Sequence, residues 1–218
     1  VIFIMINELP MFLLTLGYGR SGSSMIGSIL NQHPNCIMTN EFRFLQKYYS
    51  SNGENVSELL QGLFKTACNE YSFSHKLLKN QNDHVEMKNK LSKKSIVYYG
   101  DKKSCGNTTV FLNDPLFCQK FVEENSNVKY IITMRNPFNV MKSVKKSKYF
   151  NRFSAFIKCN ENTSEQQIFQ DILMYQNYSL NFFKRHPDQT YILYYDDVLN
   201  DTNNSIKTLF AFLKIKHY

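Results

Sequence analysis

The feature that most constrains the fold lies between Phe12 and Met25. There the apolar run Phe12-Leu13-Leu14-Thr15-Leu16 opens into Gly17-Tyr18-Gly19-Arg20-Ser21-Gly22-Ser23-Ser24. A short apolar segment ended by glycine is the pattern of a strand buried on both faces. Glycines at 17, 19 and 22 let the backbone approach an anion closely. The amides that open the following helix, Ser23 to Leu30, lack intrahelical partners, which a bound anion can supply.

The alternation continues along the chain. Cys36-Ile37-Met38 reads as a second strand ending at Thr39-Asn40-Glu41, and Phe42–Tyr49 and Val56–Thr66 have helical spacing of apolar residues. Ser95–Tyr99 reads as a third strand that stops at Gly100-Asp101-Lys102-Lys103. Asp114 and Pro115 then cap and open a helix through Val122. Val128–Met134 is a fourth strand ending at Arg135-Asn136-Pro137, with a helix to Lys146 after it. Ile168–Phe183 is a long helix, Tyr191–Tyr195 a last strand and Ser205–Leu213 a final helix. The polar, lysine-rich stretch 69–94 reads as a surface helix or lid, and 148–164 as a second insertion.

Strands alternating with helices predict a single α/β domain over 1–218: a central parallel sheet flanked by helices on both faces, like that of P-loop NTPases. Ligands of such sheets bind beyond the carboxyl ends of the strands. That rule gathers Gly17–Ser24, Glu41, Asp101-Lys102 and Arg135 along one edge.

At 218 residues, with 43% apolar and 20% charged residues, the chain can bury a full core, which excludes disordered and fibrous classes. A net charge of +8 favours an anionic ligand, a requirement that a multiply charged nucleotide meets as well as nucleic acid does. The cationic runs Lys88–Lys103 and Lys142–Lys148 read as solvated faces, and no nucleic-acid partner is inferred from them. Five cysteines without a C-x-x-C spacing favour free thiols in a reducing compartment and a cytoplasmic location, with a luminal domain behind a removed N-terminal anchor as the alternative. Val1–Leu16 is broken by Asn7, Glu8 and Pro10 and is too short to span a membrane.

The loop nearly fits the pattern G-x-x-x-x-G-K-[ST], with Gly17 and Gly22 in place and Ser24 at the hydroxyl position. Ser23 stands where a nucleotide triphosphatase carries its lysine, and the basic residue is Arg20 instead. The run Arg-Ser-Gly-Ser-Ser after a glycine-ended strand resembles the 5′-phosphosulfate loop of sulfotransferases that use PAPS (3′-phosphoadenosine 5′-phosphosulfate). Arg135 and Ser143, eight residues apart, resemble the pair with which that superfamily holds the 3′-phosphate. Arg suits the task, since its planar fork gives two charge-assisted hydrogen bonds to phosphate.

Gly100-Asp101-Lys102 resembles a Gly-Asp-Lys stretch of bacterial and Golgi-type members, although Lys103-Ser104 replaces the usual Thr-Pro and leaves Lys102 and Lys103 as alternatives for the site. His33-Pro34 followed by Asn40-Glu41 is similar to the His-Pro and Gly-Glu of tyrosylprotein and carbohydrate sulfotransferases, with His33 read as a structural turn residue. Tyr195-Asp196-Asp197-Val198 is similar to the Tyr-Glu-Asp-Leu of the same superfamily. The match favours those types over the cytosolic phenol type, whose C-terminal 3′-phosphate loop has no counterpart here.

The resemblance implies PAPS as co-substrate, no metal, and a sulfuryl group moved in line onto a hydroxyl or amine. It assigns Gly19, Arg20, Ser21, Gly22, Ser23 and Ser24 to the 5′ end, with Arg20 counted among the catalytic residues, Arg135 and Ser143 to the 3′-phosphate, Lys102 to the leaving group, and Glu41 to the acceptor proton. A basic site accommodates a glycan acceptor, and small phenols and peptides stay open. The competing readings are a kinase-like protein using Mg-ATP, with Ser24 and Asp196 or Asp197 on the metal, and a nucleotide- or glycan-binding relative without turnover.

Overall fold

Strand β1 (Met11–Gly17) divides the hydrophobic core in two, because its successive side chains point to opposite faces. The computed structural model describes residues 11–54, 56–63, 65–66, 96–146 and 163–216. After β1 come α1 (Ser23–Gln32), β2 (Cys36–Asn40), α2 (Phe44–Ser50), β3 (Tyr98–Lys102), α3 (Ser104–Asn113), α4 (Pro115–Glu124) and β4 (Val128–Met134). They are followed by α5 (Pro137–Lys145), α6 (Glu165–Arg185), β5 (Thr190–Tyr194), α7 (Tyr195–Asn200) and α8 (Thr202–Phe212). Residues 56–63 are also helical.

The strands form one sheet in the order β2-β3-β1-β4-β5. Every pairing is parallel, with Leu13 opposite Gly100 on one side of β1 and Leu16 opposite Ile132 on the other. Phe12, Leu14 and Leu16 pack with Phe44, Phe111, Phe121, Tyr130 and Phe182, which places α2, α3, α4 and α6 on one face. Leu13 packs with Ile26, Leu30, Leu193, Val198 and Leu209, which places α1, α7 and α8 on the other. A third cluster, Tyr18, Val140, Val144, Ile168, Ile172 and Tyr175, joins α5 and α6 beneath the start of the loop after β1.

Local chemistry sets the helix starts. Asp114 accepts a hydrogen bond from Phe117 N at 2.9 Å with Pro115 at the first helical position, and Asn136 does the same for Phe138 N at 3.0 Å with Pro137 after it. Ser164 and Gln167 form a reciprocal capping box at the start of α6. His33 is the structural residue expected. It is 4% exposed, Asn35 N donates to its Nδ1, and its Nε2 lies 2.8 Å from Lys216 O, which fixes the Nε2–H tautomer.

Two expectations are corrected, and one helix is added. The third strand runs Tyr98–Lys102, so Gly100, Asp101 and Lys102 belong to it instead of following it. Gly100 is needed there, because a Cβ would stand 2.6 Å from Leu13 O and collide with Met38 Sδ. Ser104–Asn113, unassigned from sequence, is a helix. Tyr195 opens the short helix α7 and is not the end of β5. The lid expected at 69–94 and residues 148–162 of the second insertion lie outside the described residues.

Candidate active site

The loop from β1 to α1 is shaped by two glycines. Gly17 has φ +121°, and a Cβ on it would lie 2.6 Å from Thr133 O of β4; Gly22 has φ +103°, and its Cβ would lie 2.5 Å from the Tyr195 ring. Both conformations and both approaches exclude a side chain. Arg20 takes the left-handed conformation as well, at φ +67°, although it is not glycine. Strain of that kind costs about 1–3 kcal/mol and collects at functional sites.

Gly22 is the N-cap of α1 and offers no side-chain acceptor, and the first turn holds no acidic residue. The positive end of the helix is therefore uncompensated at Ser23 and Ser24. Gly17 N donates to Thr108 Oγ1 at 2.8 Å and Asn107 Nδ2 donates to Thr15 O at 3.0 Å, so α3 pins the strand end beneath the loop.

Four strand ends supply the remaining walls of a cavity of about 360 Å³. It is lined by Gly19, Arg20, Gly22, Ser23 and Ser24 from the loop, Glu41 after β2, Lys102, Lys103 and Cys105 around the end of β3, Arg135 after β4, Ser143 of α5 and Tyr195 of α7. Ser21, expected among the binding residues, is buried at 1% exposure and is not part of that lining.

Arg20 Nε donates to Ser143 Oγ at 3.0 Å, and Arg135 Nη1 donates to Arg20 O at 3.3 Å. The Arg135 guanidinium lies 4.3 Å from the centre of the Tyr195 ring, a cation–π contact that fixes its plane. Gln176 Nε2 donates to Arg135 O at 2.7 Å and holds the backbone from behind.

The cation missing from the loop in sequence arrives in space from the neighbouring strand. Lys102, only 7% exposed, places Nζ 3.3 Å from Ser24 Oγ and 3.5 Å from Glu41 Oε1. Lys103 Nζ lies 2.8 Å from Glu41 Oε2. Both lysines, alternatives in the sequence, line the cavity.

Burial raises the Glu41 carboxyl. The hydrogen bond from Lys103 and the charges of Lys102 and Lys103 outweigh it and hold the group below the ordinary glutamate value. Burial pushes Asp101 up, against hydrogen bonds from the Phe44, Phe42 and Arg43 amides and the Thr39 hydroxyl. Burial likewise raises the thiol of Cys105.

A model described as the Sulfotransferase family matches residues 11–218. The chain belongs to the sulfotransferase family.

The fold agrees with that membership. The structure is similar to the sulfotransferase domain from the curacin biosynthetic pathway, at 12% identity and TM-score 0.57, over 96% of this chain and 76% of that one. It is similar to a sulfotransferase of Alicyclobacillus acidocaldarius, at 13% identity and TM-score 0.57, over 96% and 82%. A sulfotransferase of Mycobacterium avium aligns at 8% identity and TM-score 0.54, over 97% and 66%. No curated protein matches the sequence.

Within this sulfotransferase the structure gathers Gly19, Arg20, Gly22, Ser23, Ser24, Glu41, Lys102, Arg135 and Ser143 into one cavity. Ser143 bonds Arg20 where the sequence paired it with Arg135. Asp197 lines a cavity beside β5, and neither it nor Asp196 is among the described residues lining the one that holds Ser24.

Sequence reading missed Thr108, Asn107 and Gln176 as supports, and Tyr195 as an aromatic wall. The Gly-Asn-Thr-Thr run after Lys103 carried the first two in plain view, but polar residues in a buried helix give no apolar period to notice.

Proposed function

We propose that this protein transfers a sulfuryl group from PAPS to an acceptor hydroxyl or amine. The observation that carries the reading is the single cleft in which Arg20 and Arg135 are joined at 3.3 Å while Lys102 reaches Ser24 at 3.3 Å. Among the described residues, four cations face one carboxylate there, a balance suited to a ligand with several negative charges.

Each residue then has a task. The loop amides and the hydroxyls of Ser23 and Ser24 hold the 5′-phosphosulfate, and Arg135, with Ser143, holds the 3′-phosphate. The acceptor oxygen or nitrogen forms a bond to sulfur while the bond from sulfur to the phosphate oxygen breaks. Adenosine 3′,5′-bisphosphate leaves with the electron pair, and Glu41 takes the acceptor proton. Lys102 and Arg20 neutralise charge building on the departing oxygen.

Glu41 is ionised at neutral pH, the form a proton acceptor needs, as an ordinary glutamate is, and the lysines hold its carboxyl lower still. That weak basicity suits late proton transfer, once bonding to sulfur has made the acceptor proton acidic. The low exposure of Lys102 keeps its charge poorly screened.

The test is calorimetry with adenosine 3′,5′-bisphosphate. The native chain binds it tightly, and Arg135→Ala abolishes tight binding; unchanged affinity in the variant rejects the assignment.

A further inference from the structure

The turn that carries Glu41 is strained. Glu41 and Arg43 both have φ of +65°, and neither is glycine. Side chains occupy that region only when their surroundings hold them there.

The holder is the carboxylate of Asp101. It is fully buried on β3, opposite Thr39 of β2 in the sheet register. Its Oδ1 accepts from Phe42 N at 2.9 Å and from Thr39 Oγ1 at 3.0 Å, and its Oδ2 accepts from Phe44 N at 2.8 Å. The two oxygens therefore grasp the backbone on both sides of Arg43, while Glu41 N completes the sheet edge by donating to Lys102 O at 3.1 Å. A buried carboxylate is costly to keep, and the donors that converge on this one show what it is kept for.

We infer that Asp101 is a positioning residue: its carboxylate clamps the turn after β2 and so sets the Glu41 carboxylate against Lys102 and Lys103. The inference deepens the proposed reaction by naming what orients its proton acceptor, and it rests on that reading only for its consequence in turnover. Asparagine cannot replace the aspartate, because its amide would turn N–H donors toward a backbone N–H.

Among the described residues, the charged groups facing Glu41 are Lys102 from β3 and Lys103 at the start of α3, with Asp101 behind the turn. The test is a carbon-13 NMR titration of the Glu41 carboxyl in the full chain, assigned with Glu41→Gln, with bisphosphate affinity measured in parallel. In Asp101→Asn the Glu41 titration rises from its depressed position toward the ordinary glutamate value, as its lysine partners are lost, while bisphosphate affinity changes less than about threefold, under about 0.7 kcal/mol. Thr39→Val removes one donor of the clamp and gives a smaller shift in the same direction, which keeps the test open should Asp101→Asn fail to fold. A Glu41 titration identical to that of the native chain, in either folded variant, overturns the clamp. Full turnover in Glu41→Gln instead overturns the reading of Glu41 as proton acceptor and leaves the titration result standing.

Discussion

Glu41 shows how much of the chemistry is decided by a few neighbours. Its carboxyl is half-exposed and raised by burial, yet Lys102 and Lys103 hold it below the ordinary glutamate value. Glu41→Gln preserves shape and removes the acceptor of the proton, so turnover falls about 10²–10⁴-fold while bisphosphate binding persists, measured by product formation and calorimetry. Equal turnover in the variant contradicts the assignment.

The sign of the pH effect follows from the depressed value. The carboxylate form is favoured in the folded chain, so its stabilising contribution is present above the unfolded value, about 4.3, and is lost as pH falls through the lower folded value. The acidic limb of kcat/KM accordingly lies below the ordinary glutamate range, and a limb near neutrality contradicts the ion-paired geometry.

At the scale of elements, the sheet positions the site because parallel strands deliver their carboxyl ends to one edge. β3 is the critical member, since it brings Asp101 and Lys102 beside β1. Its passage depends on Gly100, where a Cβ would press on Leu13 O at 2.6 Å and Leu13 Cβ at 2.8 Å. Gly100→Ala therefore destabilises the fold by about 1–3 kcal/mol, read as a lower thermal midpoint; an unchanged midpoint shows that β1 and β3 can separate without cost.

The elements differ in how plainly the sequence displays them. β1 and β4 are apolar runs with flanking turn residues, and Asn136-Pro137 announces α5, so their ends and the site residues attached to them were legible. β3 was displaced because Gly100 reads as a terminator when considered alone, whereas in the sheet it is the residue that permits close approach to Leu13 and Met38. Helix α3 stayed hidden because Asn107, Thr108 and Thr109 are buried beside Val110 and Phe111, leaving no polar face to set a period. Ser21 looked like a ligand residue by its place in the loop, and only the packing shows its side chain turned inward.

At the scale of the whole molecule, the carboxyl ends of the strands border one cavity between the described helices, and positive residues collect there. Arg20 from the first loop, Lys102 and Lys103 at and just after the end of the third strand and Arg135 just after the fourth converge although 115 residues separate the outermost pair. The third hydrophobic cluster, in which Tyr18 meets Tyr175 edge to face at 5.2 Å, ties α5 and α6 to the loop so that both basic ends share one rigid frame. The measurement that bears most directly on that frame is a calorimetric ranking of adenosine 3′,5′-bisphosphate, 5′-AMP and Mg-ATP on the native chain. A cleft that grips both ends of the donor binds the bisphosphate about 100-fold more tightly than 5′-AMP, and also more tightly than Mg-ATP, since the 3′-phosphate adds about 3 kcal/mol of charge-assisted hydrogen bonding at Arg135. Equal affinity for the bisphosphate and 5′-AMP, or tighter binding of Mg-ATP, contradicts it.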